Sequence, residues 1–357
     1  DNGIQVAASG IKSAKGKAVP IASDKETKTL RYKQNNVHDF AWFADKGYQV
    51  RHERFQLPSG RPVDGYVFFY PENAADWSNS LAMVKRAILT KSQWLGEYPY
   101  TVVSVVEDRQ GGGGGMEYPT VTLLGTGGSE KSLDFVIGHE VGHNWFQGIL
   151  ATQERLHPWM DEGMNTYYDN RYMTQQYGSA GIDFIKGPAF LKKRMPADLT
   201  QTALQTIAGL KRDQPIETAS EKFSDVNFNF VAYTKTGNWM KMMADELGQE
   251  LFDKCMQAYY EQWKFKHPYP EDFRKVMETV SGRDLSKFFN LLQQKGMLPP
   301  PSPKKGVRFA SFFSMKDADK YNYIFASPAI GYNFYDKVMV GALIHNYTLP
   351  LSRFQFL

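Results

Sequence analysis

His139-Glu140-Val141-Gly142-His143, with Glu162 after a further eighteen residues, is the stretch whose reading decides the fold. On a helix, positions four apart differ by about 40° around the axis and roughly 6 Å along it, so both imidazoles address one point. One Zn2+ fits between them. The ion needs a third protein ligand, and Glu162 stands in a second helix-like run that a loop can return toward the first. A fourth position is left for water. Glu140 follows the first ligand directly and projects toward that side, which suits a general base. The expectation is a single zinc ion on His139, His143 and Glu162, with Glu140 as the proton acceptor.

The chain has 357 residues, of which 42% are hydrophobic and 14% aromatic, enough for two or three packed units with large cores. Its 42 basic residues against 38 acidic ones are scattered, so no nucleic-acid partner is expected. Cys255 is the only cysteine. An internal disulfide is thereby excluded, which fits a cytosolic protein or a bacterial exported one and argues against a disulfide-stapled domain. No stretch reaches the ~18 apolar residues of a spanning helix, and no basic-then-apolar leader opens the sequence. Residues 1 to 26 are rich in Ala, Gly, Ser and Lys and read as a surface segment.

From Thr27 to Tyr70 short β segments are expected at Thr29 to Tyr32, His38 to Phe43, Tyr48 to Phe55 and Val63 to Tyr70, together forming an antiparallel sheet. Glu72 to Leu95 reads as a helix with Trp77, Leu81, Val84 and Ile88 on one face. Strands follow at Val102 to Val106 and Thr120 to Leu124, and the metal helix is expected from about Ser132 to Gln147, stopped by Gly148. Further helices are expected at Glu162 to Gln176, Thr236 to Leu247, Gln249 to Trp263, Glu271 to Val280 and Leu285 to Gln294. The domains read as a β remnant with a loose start (1–47), a catalytic α/β lobe (48–180), a helical lobe (181–298), a proline-rich linker (299–306) and a β tail (307–357). A cleft is expected between the two lobes.

Gly114-Gly115-Met116-Glu117-Tyr118 precedes the metal helix at the start of a strand. With this element the chain resembles the aminopeptidase N family of gluzincin zinc peptidases, which carries HExxH, a Glu after eighteen residues and an upstream Gly-x-Met-Glu-Asn. The resemblance covers about Tyr48 to Pro299 and implies an α+β, thermolysin-like peptidase fold. It implies that Glu117 binds the free α-amine of a peptide, with Gly114, Gly115 and Met116 lining the substrate strand, and the physics agrees: an ammonium entering a desolvated cleft needs a fixed carboxylate, and an edge strand can pair a peptide backbone. Tyr118 departs from the family's Asn and puts the shape of the first subsite in question. Tyr233, in Tyr233-Thr234-Lys235, matches the family's Tyr-x-Lys element, and the resemblance assigns its phenol to the oxyanion.

Helical spacing after Glu162 makes Asn165, Thr166 and Asp169 candidates for the acceptor that each zinc-bound imidazole needs on its second nitrogen. The preferred reading is a zinc aminopeptidase acting on peptides with a free N-terminus. An endopeptidase, an epoxide hydrolase and a non-catalytic membrane-attached module are the alternatives. Fewer than fifty residues precede Tyr48, where the family has a complete β domain, so a piece of a longer chain is expected. After Pro303, segments 321 to 334, 338 to 347 and 351 to 357 show partial alternation with short turns between them, the pattern of an outer-membrane β-barrel, and the stretch resembles the region following the peptidase part in some bacterial members of the family. The expectation is a chain that continues into a membrane barrel and lies in the bacterial periplasm or at the outer membrane, with a small β unit packed on the catalytic domain as the alternative.

Overall fold

The computed structural model describes residues 5–9, 11–12, 30–109, 114–125, 128–179, 188, 190, 193–196, 198–298, 305–311, 313–318, 320–351 and 354–357. The proline run at 299–304, three of the five consecutive glycines (111–113) and most of residues 1–29 lie outside these. Two small antiparallel pairs come first: β1 (Gln5–Ala8) with β4 (Trp42–Asp45), and β2 (Ile11–Lys12) with β3 (Tyr32–Lys33). Strands β3 and β4 begin three and four residues, respectively, beyond where alternation places them.

The central sheet has five strands in the order β5 (Gln49–Gln56), β6 (Pro62–Phe69), β7 (Val102–Asp108), β9 (Val121–Gly125), β8 (Gly115–Tyr118). It is mixed: β6, β7 and β9 run parallel, while β5 and β8 flank them antiparallel. The single antiparallel sheet expected for residues 27 to 70 is therefore corrected. The reason is visible in β7, whose first six residues are all buried, Ser104 included; such a run belongs inside a sheet covered on both faces. Helix α1 (Ser80–Trp94) makes the crossover from β6 to β7, its start delayed past the expected Glu72 by turns at Pro71–Asn73 and beyond. Met83, Val84, Ala87 and Ile88 bury its inner face.

Helix α2 (Glu130–Gly142) is capped by the Ser129 side chain, which accepts from Ser132 N–H. It ends at Gly142, five residues before the expected Gln147. From there Gly148, Ile149 and Leu150 donate to the carbonyls of His143, Asn144 and Trp145, a widened i→i−5 pattern that lets Trp145 and Phe146 turn inward into the main core beside Tyr98 and Tyr168. A π-helical turn, Trp159–Gly163, leads into α3 (Met164–Tyr177). Then come α4 (Leu199–Gly209), a second π-helical segment Phe228–Lys235, and α5 (Thr236–Leu247), α6 (Gln249–Trp263), α7 (Pro270–Ser281) and the short α8 (Ser286–Phe289). Cys255 is buried in α6, and Met240 and Met243 in α5, as core residues.

The tail forms a three-stranded sheet in the order β10 (Gly306–Ala310), β11 (Tyr321–Asn333), β12 (Lys337–His345). Among the described residues of 351–357 the expected third strand does not form; Phe354 and Phe356 instead bond to Asn346 through their backbones. Its place is taken by β10, which pairs parallel with β11. An up-and-down barrel is antiparallel throughout, so only the β11–β12 hairpin keeps that pattern. No helix among the described residues is long and apolar enough to cross a membrane.

Candidate metal centre and peptide cleft

The last turn of α2 and the π-helical turn ahead of α3 bring three donor atoms together. His139 Nε2 and His143 Nε2 are 3.2 Å apart, and each is 3.4 Å from Glu162 Oε2. A tetrahedral ion holding its ligands at about 2.0–2.1 Å sets them about 3.3 Å from one another. Both Nδ1 atoms are engaged by carboxylates, Asp169 Oδ2 at 2.6 Å from His139 and Asp161 Oδ1 at 2.7 Å from His143. With Nδ1–H donating outward, two Nε2 lone pairs and the otherwise unpartnered, buried Glu162 Oε2 face one point. Three acceptors converging in a buried site suit a cation. The donor set is that of zinc, and one ion fits.

The candidates for the outer partners divide. Asp169 takes His139; Asn165 donates to the His139 carbonyl at 2.8 Å and lies 3.3 Å from its Nδ1; Thr166 bonds back to the Glu162 carbonyl. Asp161 was not among the candidates, because a search forward from Glu162 along helical spacing skips the residue just before it. The π-helical turn widens the backbone so that Asp161 and Glu162, adjacent in sequence, both serve the site.

Glu140 is buried with Oε2 unpartnered, and burial, opposed by His139 and His143, raises its pKa to about 7. A carboxylate held there exchanges a proton readily near neutrality. The edge strand β8 passes directly over it: a β-carbon at Gly115 would overlap the Glu140 carboxyl. Alternation puts Glu117 on the same side of β8 as Gly115, and its carboxylate lies within 4.8 Å of a His143 ring nitrogen and an Asp161 oxygen. Gly114 stands at the head of the strand with open space around it. Met116 and Tyr118 fall on the opposite face, Met116 exposed and Tyr118 against Phe43. Tyr233 comes from the second π-helical segment; its hydroxyl donates to Glu162 Oε1 and its ring stacks on His139 at 6.0 Å between centroids. Burial, and then the negative charge of Glu162, push its pKa well up, so it stays a neutral donor.

From His139 and Tyr233 a cavity of about 820 Å³ extends between α2, α3, α4 and α5, past Phe135, Thr166, Asn170 and Asn238. The model of the peptidase family M1 domain matches residues 84–291, more than half of the chain. The chain belongs to peptidase family M1. Rat aminopeptidase B is 26% identical over 207 residues, 53% of this chain and 31% of that protein, and rice aminopeptidase M1-D is 24% identical over 173 residues, 48% of this chain and 19% of that one. This member thus spans about a third or less of the curated relatives it matches. Among solved structures, an M1 zinc metallopeptidase of Deinococcus radiodurans superposes with a TM-score of 0.57 at 17% identity, covering 83% of this chain and 62% of that one. Legionella pneumophila aminopeptidase A gives 0.57 at 14%, over 95% and 36%. The α+β peptidase fold is thereby shared.

Proposed function

We propose that this protein is a zinc aminopeptidase that removes residues from the free N-terminus of peptides. The observation that carries the reading is the Glu117 carboxylate beside the His139, His143, Glu162 centre on an edge strand. An α-ammonium docked on Glu117 forms a charge-assisted hydrogen bond that an internal peptide segment has no group to make. The strand carrying Glu117 leaves backbone groups free to pair the substrate. Zinc, when bound, supplies Lewis acidity toward water and the scissile carbonyl. Glu140 takes the proton from the attacking water and returns it to the leaving nitrogen. Tyr233, already a donor to Glu162, reaches toward the carbonyl oxygen and stabilises the charge that develops on it. The cavity beyond His139 and Tyr233 has room for the residues after the cleaved bond. Incubating the zinc-loaded protein with a short peptide, free and N-acetylated, tests this. Stepwise release from the free N-terminus, with the acetylated peptide untouched, is expected; internal cleavage of both would replace the reading with an endopeptidase.

A second reading concerns the tail, and we propose that it attaches the protein to a bacterial outer membrane by contact with lipid. Register places Ala326, Pro328, Ile330 and Tyr332 beside Ile344, Ala342, Val340 and Val338 on one face. That face is exposed, with Ile330 at 79% and Val340 at 81%, whereas water-facing strands carry polar residues there. Tyr332, Phe334 and Tyr335 gather at the turn, as aromatics do at a lipid interface. Co-flotation with vesicles of phosphatidylethanolamine and phosphatidylglycerol is expected, and is expected to vanish in Ile330→Lys/Val340→Lys. Flotation that survives the double substitution would contradict this role.

A further inference from the structure

Lys91 lies on α1, an element that carries no ligand and no group assigned to the reaction. Its side chain is fully buried, and Nζ donates to Asp169 Oδ1 at 3.0 Å and Asn165 Oδ1 at 2.9 Å. The other oxygen of Asp169 accepts from His139 Nδ1, and the amide of Asn165 donates to the His139 carbonyl. Both residues that Lys91 touches therefore end on the same metal ligand. Space for the amine comes from inside the HEVGH stretch: a β-carbon at Gly142 would overlap both Lys91 Nζ and Asn165 Oδ1. Burying an ammonium is costly unless it is fully paired, and an apolar side chain would fill this position on α1 without that cost. A lysine kept here, with a glycine cut out for it, calls for a role beyond packing.

We propose that Lys91 is a positioning residue of the metal centre: its ammonium clamps Asp169 and Asn165 and through them fixes the ring of His139 with Nε2 toward the ion. Asp169 offers one oxygen to each partner, so a fixed donor on the far side decides which way the carboxylate is turned. Asn165 is flippable about its amide, and Lys91, a donor with no acceptor, admits only the orientation with oxygen toward it and nitrogen toward His139. The clamp ties α1 to α2 and α3 at the point where the ligand is set.

The proposal rests on the zinc reading, and one titration separates the two. Zinc affinity of the metal-stripped, folded protein is measured against a competing chelator for the unaltered chain, Lys91→Met, Asp169→Asn and the double variant, with circular dichroism confirming the fold of each. Loss of an outer partner of a zinc ligand typically weakens metal binding about 10–100-fold. Lys91→Met is expected to fall in that range, and the double variant is expected to lose clearly less than the product of the two single losses, since part of what Lys91 does passes through Asp169. Should Lys91→Met not fold, Lys91→Gln, which keeps a donor, takes its place with a loss at the lower end of that range, about 10-fold. Zinc affinity unchanged in the folded variant, or losses that multiply in the double variant, would overturn the role of Lys91. An unaltered chain that binds no zinc would instead overturn the metal reading itself.

Discussion

His139, Glu140 and His143 read directly from sequence because a helix converts a four-residue interval into convergence, and α2 is regular up to Gly142. Glu140 should tolerate loss of its charge without loss of the ion, since it is not a ligand. Glu140→Gln is expected to retain one zinc per chain by elemental analysis and to lose at least ~100-fold in turnover, the usual worth of a positioned general base. Near-normal turnover would remove Glu140 from the mechanism. On the proposed mechanism Tyr233 is the neutral donor to the developing oxyanion, and burial and the Glu162 charge raise its pKa. Tyr233→Phe is expected to lower kcat by about 10²–10³-fold with KM nearly unchanged, the pattern of an interaction made in the transition state. A rise in KM alone would make it a binding residue.

At the scale of elements, the two π-helical segments were not legible. Hydrophobic periodicity sees a helix from Glu162 onward and another from Thr236, and both exist, but an i→i−5 turn inserted ahead of each changes no apolar spacing that a reader can count. These turns carry Asp161, Glu162 and Tyr233, and they cross at Gly163. A β-carbon there would overlap the Thr236 side chain and the Ala232 carbonyl. Gly163→Ala is therefore expected to separate Glu162 from Tyr233, destabilising the protein by about 1–3 kcal/mol in urea titration as overpacking does. Activity should fall further than stability explains. Unchanged stability and turnover would show that the crossing yields.

The sheet has its own buried carboxyl. Glu107, at the end of β7, accepts from Tyr70 N–H at 2.6 Å and from the Asn73 amide, yet burial raises its pKa above the ordinary 4.5. A carboxyl raised on folding favours the folded state fully below its unfolded pKa, and that advantage disappears as pH rises through the folded value. Thermal melts of Glu107→Gln are expected to be flatter above pH 4.5 than those of the unaltered protein, whose Tm should decline with pH over that interval. Parallel curves would mean that Glu107 is charged in the fold throughout.

Across the whole molecule, the sequence disclosed the peptidase core more fully than its borders. Helices α5 and α6 fall on the expected residues because Gly248 separates two amphipathic runs, and α7 is closed by Gly282 in a left-handed turn. Strand partners were less accessible: β4 pairs with β1 and β10 with β11 over distances that alternation cannot encode. Glu117 joins these scales, being one carboxylate, on one edge strand, beside a centre built from two helices. On the proposed reading it separates an exopeptidase from other uses of the same metal. The decisive measurement is kcat/KM of the unaltered protein and of Glu117→Ala on aminoacyl substrates with free and with acetylated amines. The account predicts a loss of about 2–4 kcal/mol in transition-state binding for the free amine and almost none for the blocked one; equal losses on both would contradict amine recognition by Glu117.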